Sequence, residues 1–266
     1  MPRFAAGLEY DGRAYSGWQF QPGLQTVQDV VQRALSRVAD APVACVCAGR
    51  TDAGVHASAQ VVHFDTDAQR SERGWRLGTN SYLPSDVSVA WLREVPGHFH
   101  ARFSAVARSY RYLILNRDSR SALAFGRATW ERRPLDAERM HSAAQALVGE
   151  HDFSAFRAIE CQAKSPLRRV ERLEVLRDAE WVTLTITANA FLHHMVRNVA
   201  GLLLAVGCGD SPPERVAMVL ASRDRKTNAA TAPPDGLYLT AVRYPPEFGL
   251  PPSNLLQSAI IGRTSE

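Results

Sequence analysis

The period of the hydrophobic pattern alternates along this chain between that of a strand and that of a helix, and it does so twice in the same order. Arg3 to Tyr10 alternates as a strand. Residues 26–39 place Val27, Val30, Val31, Ala34, Leu35 and Val38 at i, i+3, i+4, i+7, i+8 and i+11, which predicts an amphipathic helix with Thr26 as its N-cap. Val43–Cys47 and Ser58–Thr66 read as strands, residues 71–82 as a helix with Leu77 inside, and Asp86–Val95 as a further strand. The second part repeats this. Ala105–Leu115 reads as a strand and residues 136–148 as a helix carrying Met140, Ala143, Ala144, Leu147 and Val148. Val170–Leu176 and Trp181–Ala188 read as a hairpin across Arg177–Glu180, and residues 191–206 as a helix. A helix over 212–222, opened by Ser211 with Pro212 and Pro213 in its first turn, precedes a closing strand, Leu237–Tyr244.

Two β-α-β-β-α-β units in series predict an α+β fold made of two ferredoxin-like halves. The repeat is one of order, since the two sequences are not similar. The expected boundaries are 1–104 and 105–250, with a polar, loosely ordered tail over 251–266. Two such sheets side by side would leave a cleft between the halves, a usual place for a ligand.

Composition narrows the class. Among 266 residues, 45% are hydrophobic and 22% charged, as expected of a globular chain. No apolar run reaches the roughly 18 residues a membrane span needs. The start, MPRFAAGLEYDG, lacks an apolar signal core, so a cytoplasmic location is expected. Four cysteines make no disulfide framework, and Cys45 and Cys47 read as two small buried thiols on one strand face.

The net charge is +4, and only Lys164 and Lys226 among 31 basic residues are lysines. Guanidinium forks suit phosphate, although a compositional bias would give the same count. Eight arginines fall between His100 and Arg133 against Asp118 and Glu131, and a second group holds Arg157, Lys164, Arg168, Arg169 and Arg172. Such local excess suggests a polyanionic partner.

The segment AGRTDAGVHASAQVVHF, residues 48–64, holds the acid of most interest. Gly49 and Gly54 let the backbone turn, and Asp52 lies between two strands where no core could use it. A turn aspartate capping its own backbone is the bland reading. Arg50 offers a cation that would keep the carboxylate ionised, and therefore a nucleophile or base. A second cation comes from FLHHMVRNVAGLLLAVG, an apolar helix that nonetheless carries Arg197. A buried guanidinium needs an anion, for which Asp52 is favoured and a structural acid such as Asp152 is the alternative. His193 and His194 are adjacent and diverge on a helix. No HxxxH or HExxH spacing occurs, so a metal site is not expected, nor is a nucleotide-cradling glycine loop present.

In ARSYRYLIL, residues 107–115, Arg108, Tyr110 and Tyr112 share a strand face. An aromatic ring between the arginines 108 and 111 would serve as a stacking platform beside phosphate donors. A half-exposed aromatic face is the competing reading. The turn YDGRAYSGWQFQPG adds Tyr15, Trp18 and Phe20, with Trp18 read as a local hydrophobic plug.

Taken together, YDGRAYSGWQFQ, TVQDVVQRAL, GRTDAGVHASAQVVHF, NSYLPSDVSV, FSAVARSYRYLI, HDFSAF, FLHHMVRNVAG and TAPPDGLYL resemble, in this order, the blocks of the tRNA pseudouridine synthase A family. The resemblance runs from about Tyr10 to Tyr244. It implies isomerisation of uridines thirty-eight to forty in the anticodon arm of tRNA, without metal or organic cofactor. It implies two ferredoxin-like halves whose mixed, antiparallel-rich sheets join, helices on one side, a catalytic cleft between the halves, and a homodimer. By position in these blocks, Asp52 would be the catalytic aspartate, Arg50 would help place the nucleotide and Arg197 would pair with Asp52. Tyr110 would stack on the uracil and Leu237 would wall its pocket. Arg108 and Arg111 would contact substrate. One departure is Ala229-Ala230, where the family commonly has Ala-Gly, which puts the backbone of that loop in question. A non-catalytic RNA-binding module is the alternative function.

Overall fold

A computed structural model describes residues 1–252, so the expected tail falls, apart from Pro251 and Pro252, outside the described residues. In chain order the main elements are β1 (Arg3–Tyr10), α1 (Val27–Ala39), β2 (Cys45–Cys47), β3 (His56–Asp65), α2 (Glu72–Tyr82), β4 (Val87–Val95) and β5 (Ala107–Asn116). They continue as β6 (Thr129–Glu131), α3 (Ala137–Ala144), β7 (Gly149–Asp152), β8 (Leu167–Asp178), β9 (Trp181–Ala188), α4 (Met195–Gly207), α5 (Arg215–Ser222) and β10 (Leu237–Arg243). The fold is α+β. It divides into two compact units, one of Met1–Arg108 with the described residues from Tyr238 onward, the other Ser109–Leu237.

In the first unit β1 lies between β3 and β4 and is antiparallel to both. β2 pairs with β3 through Cys45↔Phe64, and β10 pairs parallel to it through Tyr238↔His56. Thr26 caps α1 by accepting from the Asp29 amide, and Ser71 caps α2 by accepting from Gly74. Each cap satisfies an orphan donor of a helix N-terminus. Phe4, Phe64 and Trp75 meet with ring centroids 5.3–5.9 Å apart, so the aromatic payload of α2 is driven into the sheet.

Leu77 is a correction: it is 48% exposed, while Trp75 and Thr79 are fully buried. These two, four residues apart, define the inner face of α2, and a residue midway between them must point outward. Cys45 is buried and Cys47 half-buried, both as free thiols. Burial pushes the Cys47 thiol up to about 12, so it is inert near neutrality. Trp18 is 1% exposed and plugs its loop, whereas Phe20 is 48% exposed.

In the second unit the strands run β5-β9-β8-β7, with β6 parallel to β5 through Ile114↔Thr129. β8 and β9 close tightly at Asp178↔Trp181, with Ala179 at φ +50°. α4 buries Met195, Val196, Val199, Leu202, Leu203 and Val206, as its continuous apolar pattern demands.

The helix expected over 191–206 begins only at Met195. His194 takes a left-handed conformation at φ +61°, which no α-helix can propagate through, so His193 and His194 precede the helix rather than diverging on it. Their rings lie 4.0 Å apart. α5 likewise begins at Arg215, because the prolines lie in a preceding turn whose carbonyls accept from Arg215 and Val216. α3 is α-helical only to Ala144 and tightens into a 3-10 turn over Gln145–Leu147. The short strands β6 and β7 have no sequence signature, being too short to show a period.

Candidate active site

Asp52 lies in the connection between β2 and β3, half-buried, next to an exposed Ala53. Three backbone groups of the turn around it are held by hydrogen bonds. The Thr51 carbonyl accepts from the Trp18 amide at 3.0 Å, and the Asp52 carbonyl from Val55 at 3.1 Å. The Gly54 amide donates to the Tyr15 carbonyl at 3.2 Å, with Gly54 at φ +78°. The loop 12–18 therefore acts as a clamp on the acid's turn. Gly17 is required there: at φ +89°, a Cβ on it would approach the Thr51 carbonyl to 2.7 Å.

The stem of the turn is held by side chains. The Tyr10 hydroxyl lies 2.9 Å from the Thr51 hydroxyl. Gln60, fully buried in β3, donates to the Gly49 carbonyl at 2.7 Å and to Tyr10 at 3.3 Å. His56 is buried beneath the start of β10, its ring stacked on Tyr238 at 4.5 Å, with Nδ1 accepting from the Gly12 amide. Asp11 follows β1. Burial opposes its charge, but hydrogen bonds from Arg13 at 2.6–3.0 Å win and hold its carboxyl below the usual range.

Arg50 is exposed. Arg108 is not: at 8% exposure its guanidinium donates to the carbonyls of Ala48 at 3.0 Å, Ala105 at 3.1 Å and Arg102 at 2.5 Å. It thereby ties the segment before β5 to the residue that opens the Asp52 turn.

In the second unit Tyr110 is 8% exposed, its ring edge-on to Phe191 at 5.0 Å. Arg111 is buried, and burial pulls its guanidinium below its ordinary value. Tyr112 is fully buried and hydrogen-bonded to the Thr129 hydroxyl and the Pro233 carbonyl, so it belongs to the core rather than to a half-exposed face. Leu237 is buried at the start of β10, its amide bonded to the Pro234 carbonyl.

Arg197 is half-buried on the first turn of α4. Its Nε donates to the Ala232 carbonyl at 2.8 Å, and its own carbonyl accepts from the Ala232 amide at 3.1 Å. Asp152, the alternative partner, accepts from the Ser154 amide and lies 3.6 Å from Arg223.

The comparison with known proteins decides what these blocks belong to. The profile described as tRNA pseudouridine synthase matches residues 6–104 and 143–245. The chain belongs to the tRNA pseudouridine synthase A family.

A tRNA pseudouridine synthase A of Methylococcus capsulatus is 61% identical over 93% of this chain and 92% of its own. Those of Nitrosococcus oceani and Pseudomonas aeruginosa are 56% and 54% identical, each over 94% of this chain and over 96% and 88% of their own. Among solved structures, an archaeal box H/ACA sRNP Nop10–Cbf5 complex is similar over 88% of this chain and 47% of that chain, at 12% identity and a TM-score of 0.37. That likeness is too distant to bear on the site.

The departure at Ala229-Ala230 resolves within this synthase fold. Neither residue has a positive φ, so neither position needs glycine. The Ala229 carbonyl accepts from Arg225 at 3.0 Å, and Asn198, fully buried on α4, accepts from Arg225 and from Thr231. The glycine that matters lies opposite, at Gly201, where a Cβ would come within 2.0 Å of the Ala230 carbonyl.

Sequence reasoning did not single out Tyr10, Gly12, Gly17 or Gln60. One signal was available: a glutamine inside the largely apolar strand SAQVVHF is costly to bury unless it bonds something.

Proposed function

We propose that this isomerase converts uridine to pseudouridine at positions thirty-eight to forty of the tRNA anticodon arm, acting in the cytoplasm as a homodimer. The observation that carries the reading is Asp52 itself, held in a turn whose backbone is clamped on both sides within GRTDAGVHASAQVVHF. Such clamping is what a reacting carboxylate needs, because small misplacements of a catalytic group cost rate steeply.

The reaction breaks the bond from C1′ to N1 and forms one from C1′ to C5. N1 ends protonated and the C5 hydrogen leaves as a proton, so atoms and electrons balance without redox chemistry. Asp52 acts as nucleophile at C1′ or the uracil ring, or as base at C2′. Arg197 pairs with it and keeps it ionised. Extruding the uridine costs a few kcal/mol of stacking, which Tyr110 offsets by stacking on the base and Leu237 by walling it. Arg50 places the nucleotide, and Arg108 and Arg111 contact the substrate. Among the described residues no helix is long and apolar enough to cross a membrane.

Replacing Asp52 by Asn and measuring tritium release from tRNA labelled at C5 of uridine tests this. Release should fall below detection while tRNA still binds. Normal turnover by the variant would overturn the assignment, and silent substitution with intact RNA binding would favour a non-catalytic module. Mapping pseudouridine in tRNA from cells with and without the gene identifies the positions, and sedimentation reads the oligomeric state.

A further inference from the structure

A short turn ahead of β5 carries an arrangement that the catalytic reading leaves unused. Phe103 is 75% exposed. Its ring is stacked on the imidazole of His100, with centroids 4.3 Å apart and planes 30° apart. The guanidinium carbon of the exposed Arg102 lies 5.5 Å from the centre of the Phe103 ring.

The turn is stiff. The His100 amide donates to the Ser104 hydroxyl at 2.9 Å and its carbonyl accepts from the Ser104 amide at 2.8 Å. The His100 Nδ1 accepts from the amides of both Arg102 and Phe103 at 3.2 Å, which orients the imidazole under the phenyl ring. The turn is also tied to the reacting segment, since Arg108 bonds the Arg102 and Ala48 carbonyls through one nitrogen. A pre-organised, exposed aromatic face beside a guanidinium has the two features that single-stranded nucleic acid uses, a stacking surface and a phosphate donor.

We propose that the turn 100–104 is a stacking platform for an unpaired base of the RNA substrate. Phe103 is its face, His100 its support and Arg102 its phosphate contact. The proposal rests on the pseudouridine synthase reading. The positive charge of Arg102 selects a polyanion over an apolar partner, and the ring at the tip is accessible without displacing any part of the unit it belongs to.

The test uses the full chain and unmodified tRNA, comparing the wild type with Phe103→Ala, Phe103→Trp and Arg102→Gln. Phe103→Ala should weaken tRNA binding about ten-fold or more, as removal of a stacked base contact does, while Phe103→Trp retains it. Arg102→Gln should weaken binding and flatten its salt dependence. Because Phe103 is exposed, the thermal midpoint should be unchanged. Binding by Phe103→Ala within about two-fold of wild type would overturn the platform. So would a change of oligomeric state in that variant, which would assign the ring to a second copy of the chain. Failure of the wild type to release tritium would instead defeat the isomerase reading, so the two failures are distinguishable.

Discussion

Arg108 donates to the carbonyl of Ala48 from a position 60 residues further along the chain, at 3.0 Å and with almost no exposure to solvent. A charged donor shared among three backbone carbonyls is a strut. It couples the turn that carries Phe103 to the residue from which the Asp52 turn departs.

Substitution of Arg108 by Met keeps much of the side chain's bulk and removes the donors. Buried carbonyls left without partners cost about 1–3 kcal/mol each, partly recovered by relaxation. Urea unfolding should show a loss of about 3 kcal/mol or more. Arg108→Lys should recover only part of it, because an ammonium cannot reproduce the planar fork. An unchanged midpoint would remove the strut.

At Gly17 the substitution to Ala meets two obstacles at once, the left-handed φ of +89° and the Thr51 carbonyl 2.7 Å from the new Cβ. The chain must shift where Asp52 is positioned. Pseudouridine formation should fall at least about ten-fold, with a stability loss of about 1–3 kcal/mol. A rate indistinguishable from wild type would show that the clamp does not set the acid's position.

Gly201→Ala tests the other half. The Ala230 carbonyl lies 2.0 Å from the position of a Cβ, so α4 and the loop 229–232 must part. The bonds between Arg197 and Ala232 run through the same contact. The expected result is a loss of about 1–3 kcal/mol, as for overpacked cores, accompanied by a fall in kcat with tRNA affinity less affected.

His63 supplies a pH dependence of stability. It is 5% exposed, its Nδ1 accepts from the Ala101 amide at 3.1 Å, and burial lowers its pKa to about 4. His100, whose ring lies 4.6 Å away, is also lowered by burial, while Arg3 opposes and Asp65 favours the charge on His63. Between about pH 6.5 and about 4 the unfolded chain binds a proton that the folded chain refuses. Stability should therefore fall as pH drops through that window, by up to about 3 kcal/mol from His63. His63→Gln should flatten the slope in urea titrations at pH 7, 5.5 and 4.5; a slope unchanged by the substitution would place the effect elsewhere.

The affinity for tRNA should fall steeply with salt, because phosphate contacts release counterions. Part of the basic excess is already neutralised within the fold, by Glu180 at Arg117, Glu131 and Asp210 at Arg133, and Glu174 at Arg172. Filter binding between 50 and 200 mM salt reads the slope, with a loss of about a hundred-fold or more expected. A flat response would mean that the arginines reflect composition alone.

Periodicity was a reliable guide wherever an element was long enough to repeat. α1 and its Thr26 cap, β1 and β9 lie where the pattern puts them, since their side chains face one core and the spacing records that face directly. Ends were less legible. α4 starts four residues later than its hydrophobic pattern, because a left-handed His194 interrupts the helix, and a single backbone dihedral leaves no trace in hydropathy. Leu77 looked inward by type, but Trp75 outweighs it in buried area and sets the rotation of α2.

From the order of residues alone came the alternation of strands and helices, the glycine-flanked placement of Asp52 between two strands, and the blocks that mark the family. Each depends on neighbours within a few positions. The clamp of Tyr15, Gly17 and Trp18 on the Asp52 turn, the buried Gln60 beneath it and the bonds of Arg108 to three backbone carbonyls were decided only in three dimensions. They join residues tens of positions apart, and a hydrogen bond is set by where folding brings donor and acceptor, which no local pattern encodes.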